Sequence, residues 1–153
     1  MESNIQKFDR IVALVLAELY RKFPVRSHVC VYTLFDCKEN GYWNKGIWYE
    51  PEDLAKSDRE FYVHTVKWLI DSGYVIGTIE HHNNSSITLS MKGLQLLKSV
   101  PDSLDSSESL GEQLLSVVNS GAKDSAAQLI SRALSYDNLI SQVSNFFSSA
   151  PQI

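Results

Sequence analysis

The chain has 153 residues, enough for one ordinary domain with its own core or for a smaller domain carrying a helical extension. Its 44% hydrophobic, 21% charged and 10% aromatic residues are the makeup of a soluble globular protein, and its two cysteines exclude a disulfide-built scaffold. The net charge of −4 is unevenly spread: residues 1–30, 31–60, 61–100 and 101–153 carry +2, −3, +1 and −4, so the first hundred residues are neutral and the excess acid lies behind them. Most DNA-binding domains show a basic face for phosphate neutralisation; a neutral domain can still hold a local basic strip, but the composition does not advertise one. No apolar run approaches the roughly 20 residues of a membrane span. The run from Ile11 to Ala17 is followed by Glu18 and has no small-residue cleavage site, so a cytoplasmic protein with no membrane contact is expected.

Ile5, Phe8, Val12, Val15, Leu16, Leu19 and Phe23 recur at three- and four-residue steps, which predicts a helix with Asn4 as its N-cap. Ile11, Leu14 and Ala17 lie outside that stripe, so the helix should be covered on more than one side, and Pro24 stops it. Residues 28–35 (HVCVYTLF) fit either a first strand or a second short helix. From 36 to 56 the chain carries turn signals at Asn40-Gly41 and Gly46, around Tyr42, Trp43, Trp48 and Tyr49. This stretch reads as an insertion or an irregular second helix.

Ser57 and Glu60 have the spacing of a capping box, and the helix they would open places Tyr62, Val66, Leu69 and Ile70 on one face, with Gly73 as its stop. Tyr74 to Ile79 and Ser86 to Leu89 read as two strands of a hairpin whose tip is Asn83-Asn84, since asparagine tolerates a left-handed backbone. Ser90 can cap a last helix with Leu94, Leu96 and Leu97 inside. Residues 101–109 are a polar linker by composition. Beyond it, Leu110, Leu114, Leu115, Val117 and Val118, and then Ala126, Leu129, Ile130, Ala133 and Leu134, continue at helical spacing to about 148.

Little in the chain supports catalysis. The nucleophile-elbow, phosphate-loop, dinucleotide and zinc-protease motifs are all missing, so no enzyme is expected. Cys30, Cys37, His28, His64, His81 and His82 include no paired metal-ligand spacing, and neither a metal nor another cofactor is implied. The four aromatics Tyr42, Trp43, Trp48 and Tyr49 exceed what a small core needs, and aromatic side chains dominate interface hot spots. They form a candidate protein-binding surface.

The segment FYVHTVKWLIDSGYV, followed by a hairpin and SMKGLQLLKSV, resembles the winged helix-turn-helix superfamily of bacterial and phage regulators. The matching residues are Leu69, Gly73, Tyr74, Val75 and Leu89-Ser90-Met91-Lys92-Gly93, and the likeness covers residues 5–100. It implies a mainly helical fold with a small antiparallel hairpin or sheet over residues 1–100. A helical extension over 110–148 would follow, pairing two copies or meeting a partner. It further implies that the outer face of the 58–72 helix enters the major groove of double-stranded DNA, with Ser57, Arg59, His64 and Lys67 as contacts. His81, His82, Asn83 and Asn84 would form the wing tip, where strong DNA binders carry Arg or Lys. Two functions follow: a dimeric transcription regulator, or a protein-interaction module of adaptor, inhibitor or immunity type that binds no DNA.

Overall fold

The computed structural model describes residues 1–80, 85–99 and 107–135. The chain is mainly helical, with two small antiparallel two-stranded sheets. The first helix, α1, spans Asn4–Lys22. Its N-cap is Ser3, one residue earlier than expected: the Ser3 hydroxyl accepts the Gln6 N–H while the Gln6 side chain returns to the Ser3 N–H. After Pro24, Ser27 forms a single antiparallel bridge to Ile87, and Val31–Leu34 makes one helical turn, α2. Of the two alternatives for 28–35, the short helix forms, at Val31–Leu34, and no strand does: residues 28–30 are irregular and the one bridge lies before them, at Ser27.

The connection expected to be an insertion or an irregular second helix holds no helix: it is a β-hairpin, with β1 at Tyr42–Asn44 and β2 at Ile47–Tyr49. Its two-residue turn, Lys45-Gly46, is left-handed at both positions (φ 51° and 79°), the geometry that suits the twist of a tight hairpin. Next comes α3, Lys56–Asp71. The Ser57–Glu60 capping box does not form: the N-cap is Ala55, with no side-chain bond, and Ser57 lies inside the first turn. Glu60 turns instead towards Lys56, 3.8 Å away. At its other end α3 closes as expected on Gly73 (φ 82°), with Gly73 N–H bonded to Ile70 and Tyr74 N–H to Leu69.

β3 (Val75–Ile79) pairs antiparallel with β4 (Ser85–Leu89), with Val75 opposite Leu89 and Ile79 opposite Ser85. The tip, residues 81–84, lies outside the described residues, as do 100–106 of the polar stretch and everything after 135. Ser90 caps α4 (Met91–Lys98) by accepting the Gly93 N–H at 3.0 Å. Ser109 caps α5 (Leu110–Asn119) by accepting the Glu112 N–H, and residues 123–135 are again helical.

α1 is the axis of the core. Every residue from Ile11 to Ala17 is buried, and so is Leu19. α3 and β4 cover one part of the helix and α5 covers another. Leu110, Leu114, Ala126 and Ile130 belong to the same hydrophobic core as Val12 and Leu16. The apolar faces expected to pair two copies are therefore turned onto α1 over 110–135. Close approach of α5 is possible because Gly111 lies against the Tyr20 ring, where a Cβ would come within 2.7 Å of it. Arg21 also donates to Asn119 at 3.3 Å, and the Leu110 N–H to the Ser99 carbonyl at 2.8 Å.

Leu114 is fully buried in this shared core, so Leu114→Ala is expected to destabilise the whole chain by about 2–5 kcal/mol. Urea unfolding followed by far-ultraviolet circular dichroism should show one transition with a lowered midpoint. A second transition that alone responds to the substitution would mean that α5 folds apart from α1.

Candidate functional site

The β1–β2 hairpin leaves all six of its strand residues exposed. Cross-strand register sets Trp43 opposite Trp48, while Tyr42 opposite Tyr49 and Asn44 opposite Ile47 fall on the other face. The tyrosine rings stack with centroids 5.3 Å apart and planes 11° from parallel. The two indoles meet edge to face at 5.4 Å. Trp43 is 69% exposed, and Tyr42 and Ile47 are each 57% exposed. Five large apolar side chains, counting Trp48 and Tyr49, therefore meet solvent on one short ribbon.

Two contacts hold the ribbon to the body. Trp48 stacks on Tyr32 of α2, and its indole N–H donates to the Tyr32 hydroxyl at 3.0 Å. At the foot of β2, Glu50 forms an ion pair with Arg59 in the first turn of α3. Both charged side chains are about one-fifth exposed, and the hydrogen bond to Glu50 is the chief reason the guanidinium is held above its ordinary pKa. A cleft of about 1090 Å³ opens between hairpin and body, walled by Tyr32, Trp43, Trp48 and Tyr49, with His28 and the Glu50–Arg59 pair.

The candidate DNA contacts fare unevenly. Ser57 and His64 are exposed on α3 and Lys67 is half-buried. Arg59 is committed to Glu50 and joins the aromatic cleft. The side of α3 open to solvent also carries Glu60 and Asp71, which match Lys56 and Lys67 in charge. It is a balanced surface, not a basic one. His81, His82, Asn83 and Asn84 lie outside the described residues. Of the candidate partner contacts, Tyr42, Trp43, Trp48 and Tyr49 are brought together, and the structure adds Ile47 and Tyr32 to them.

Among the described residues, no group of three or more His, Cys, Asp or Glu side chains could hold a metal ion. Nor is any helix among them long and apolar enough to cross a membrane. Cys30 and Cys37 are free and half-buried. Burial foremost, then the nearby Asp53 carboxylate, pushes the Cys37 thiol up, which keeps it protonated and a poor nucleophile.

Tyr32→Phe removes the acceptor of the Trp48 indole while keeping the stacked ring. It is expected to cost about 0.5–1.5 kcal/mol, and to move the Trp48 indole N–H resonance, identified by its absence in Trp48→Phe, towards the solvent-exposed position. An unmoved resonance would mean that this bond does not hold the hairpin. Compared with protein-family models, with curated proteins and with solved structures, the chain matches none.

Proposed function

We propose that this chain is a protein-interaction module, built on a winged-helix-like scaffold, that docks a protein partner through the β1–β2 hairpin. The observation that carries this reading is the exposure of Tyr42, Trp43, Ile47, Trp48 and Tyr49 on one ribbon that the core does not need. Large rigid aromatics contribute much contact area with little entropy to lose, and they are the residues around which interface hot spots form. The commitment of Arg59 to Glu50 supports the same reading, because it removes the strongest cation from the outer face of α3. The hairpin foot also stands beside the first turn of α3, the end that would have to enter a major groove.

A second reading, a DNA-binding regulator of transcription, draws on a different observation. The order α1, α2, α3, β3–β4 together with the Ser27–Ile87 bridge supports a winged-helix arrangement, and Ser57, His64 and Lys67 remain on the outer side of α3. In that reading α3 is the recognition helix, and the protein works in the cytoplasm as a dimer.

Two measurements separate the readings. Trp43→Ser is expected to change the unfolding free energy by no more than about 1 kcal/mol, since the ring is mostly in solvent, and to abolish co-purification of the partner while Lys67→Ala retains it. Random-sequence duplex DNA at about 50 mM salt is expected to give no mobility shift, because non-specific phosphate affinity shows first at low salt. A salt-dependent shift that Lys67→Ala removes would establish the regulator instead.

A further inference from the structure

The edge of β4 turned towards the segment after α1 offers the N–H and C=O groups of alternate residues. Ile87 uses both on Ser27, donating its N–H at 3.1 Å and accepting the Ser27 N–H at 2.9 Å. Two residues earlier on the same edge stands Ser85, whose N–H would bond a backbone carbonyl if the ladder continued. It meets a side chain instead. The Ser85 N–H donates to His28 Nδ1 at 3.2 Å, and the Val29 N–H donates to Ser85 Oγ at 3.2 Å. The Ser85 hydroxyl also lies 3.2 Å from Nδ1, and the Tyr62 hydroxyl closes the cluster by donating to the Val29 carbonyl at 3.0 Å. An imidazole and a hydroxyl have replaced one backbone rung.

The replacement carries a condition that a backbone carbonyl does not. A backbone N–H can only donate, so Nδ1 must present its lone pair and the ring proton must sit on Nε2. A proton on Nδ1 would stand head to head with the Ser85 N–H, and the acceptor beside it would be Ser85 Oγ, 3.2 Å away, for which it would compete with the Val29 N–H. Ser85 and Val29 are 5% and 3% exposed, so water cannot readily take over the bonds that are lost. The geometry points to a protonation latch: neutral His28 fastens the first residue of β4 to the segment leading into α2, and the imidazolium releases it.

The surroundings favour the neutral ring. Lys22, at the end of α1, repels a second positive charge, and Tyr62 from α3 is fully buried and held far above its ordinary pKa. Cys30 and Glu50 line the same cleft as His28, and the Glu50 carboxylate is taken by Arg59. Among the described residues no carboxylate pairs with the imidazole. His28 is an exposed residue, and the partial burial of its ring first, then Lys22, lowers its pKa below the ordinary 6.5. A base depressed by folding gives stability that is present above its unfolded pKa and lost as the pH falls below it. The latch is therefore closed above pH 6.5 and opens as the pH falls towards the folded-state value.

Hydrogen exchange of the full-length chain tests this directly, whatever the hairpin binds. Protection factors of the Val29 and Ser85 amides are expected to be constant above pH 7 and to fall below 6.5, about tenfold for each unit by which the closed latch depresses the imidazole. The Leu16 amide in the core should hold its protection throughout. In His28→Gln, whose side-chain carbonyl accepts at every pH, both amides should show flat profiles. The His28 ring resonance should titrate with a midpoint below 6.5. Protection that ignores pH in the natural chain, an equal fall in His28→Gln, or a midpoint at or above 6.5 would each overturn the latch.

Discussion

Seven consecutive residues of α1, Ile11 to Ala17, are buried, and that single fact organises the molecule. Consecutive helical positions point in every direction around the axis, so a helix buried at all of them must be covered on all sides. The elements from α3 to β4 supply only part of that cover. The rest comes from the helices after residue 107, whose Leu110, Leu114, Ala126 and Ile130 reach the same core. Removing them would expose an apolar strip of α1 to water, which is why the packing of α5 is a matter of folding before it is one of assembly. The Tyr20 ring against Gly111 shows how close that packing is.

The β1–β2 hairpin stands outside this logic. Two three-residue strands make a ribbon that is marginal in water by itself, and it gains little by burial here because its side chains stay exposed. Its position depends on Trp48 against Tyr32 and on Glu50 against Arg59. A fold indifferent to an element will tolerate its loss, and a ribbon of two tryptophans, two tyrosines and an isoleucine exposes surface that favours aggregation unless something covers it. Such a surface fits a docking role better than a structural one.

Where the chain's local chemistry decides the outcome, the sequence is readable. Ser90 and Gly73 cap and stop their helices as their residue types require, and Ile11, Leu14 and Ala17, outside the main stripe of α1, already imply cover on more than one side. The opening of α3 was misleading because Ser57 and Glu60 have the capping-box spacing, yet the chain turns two residues earlier, at Ala55, and Glu60 faces Lys56. The β1–β2 hairpin is hard to read from sequence because three residues give no usable alternation, although Lys45-Gly46 between two aromatic pairs is a turn signal. Arg59 could not have been placed from periodicity at all. Its partner is nine residues away across a loop, and only the tertiary fold makes it a cleft residue.

Charge illustrates the same point at the scale of the whole surface. Residues 31–60 hold seven carboxylates against four basic side chains, which by composition is a local acidic field. In the folded chain Asp36 meets Lys123, Asp58 meets Lys7, Glu50 meets Arg59 and Glu60 meets Lys56, so four of the seven are already paired. Lys7 lies in addition over the Phe61 ring at 4.9 Å, and Lys123 fixes the helix that follows α5 to the loop after α2. An exposed pair such as Lys56–Glu60 adds little stability, but each pair neutralises one carboxylate. The local acidity of residues 31–60 is thus partly offset, by Lys7 and Lys123 from outside the segment, while the chain as a whole keeps its net charge of −4. What the hairpin itself presents is aromatic area, so the docking proposed for it would rest on shape and stacking, with the exposed charges of Lys38, Glu39, Lys45 and Glu52 beside it.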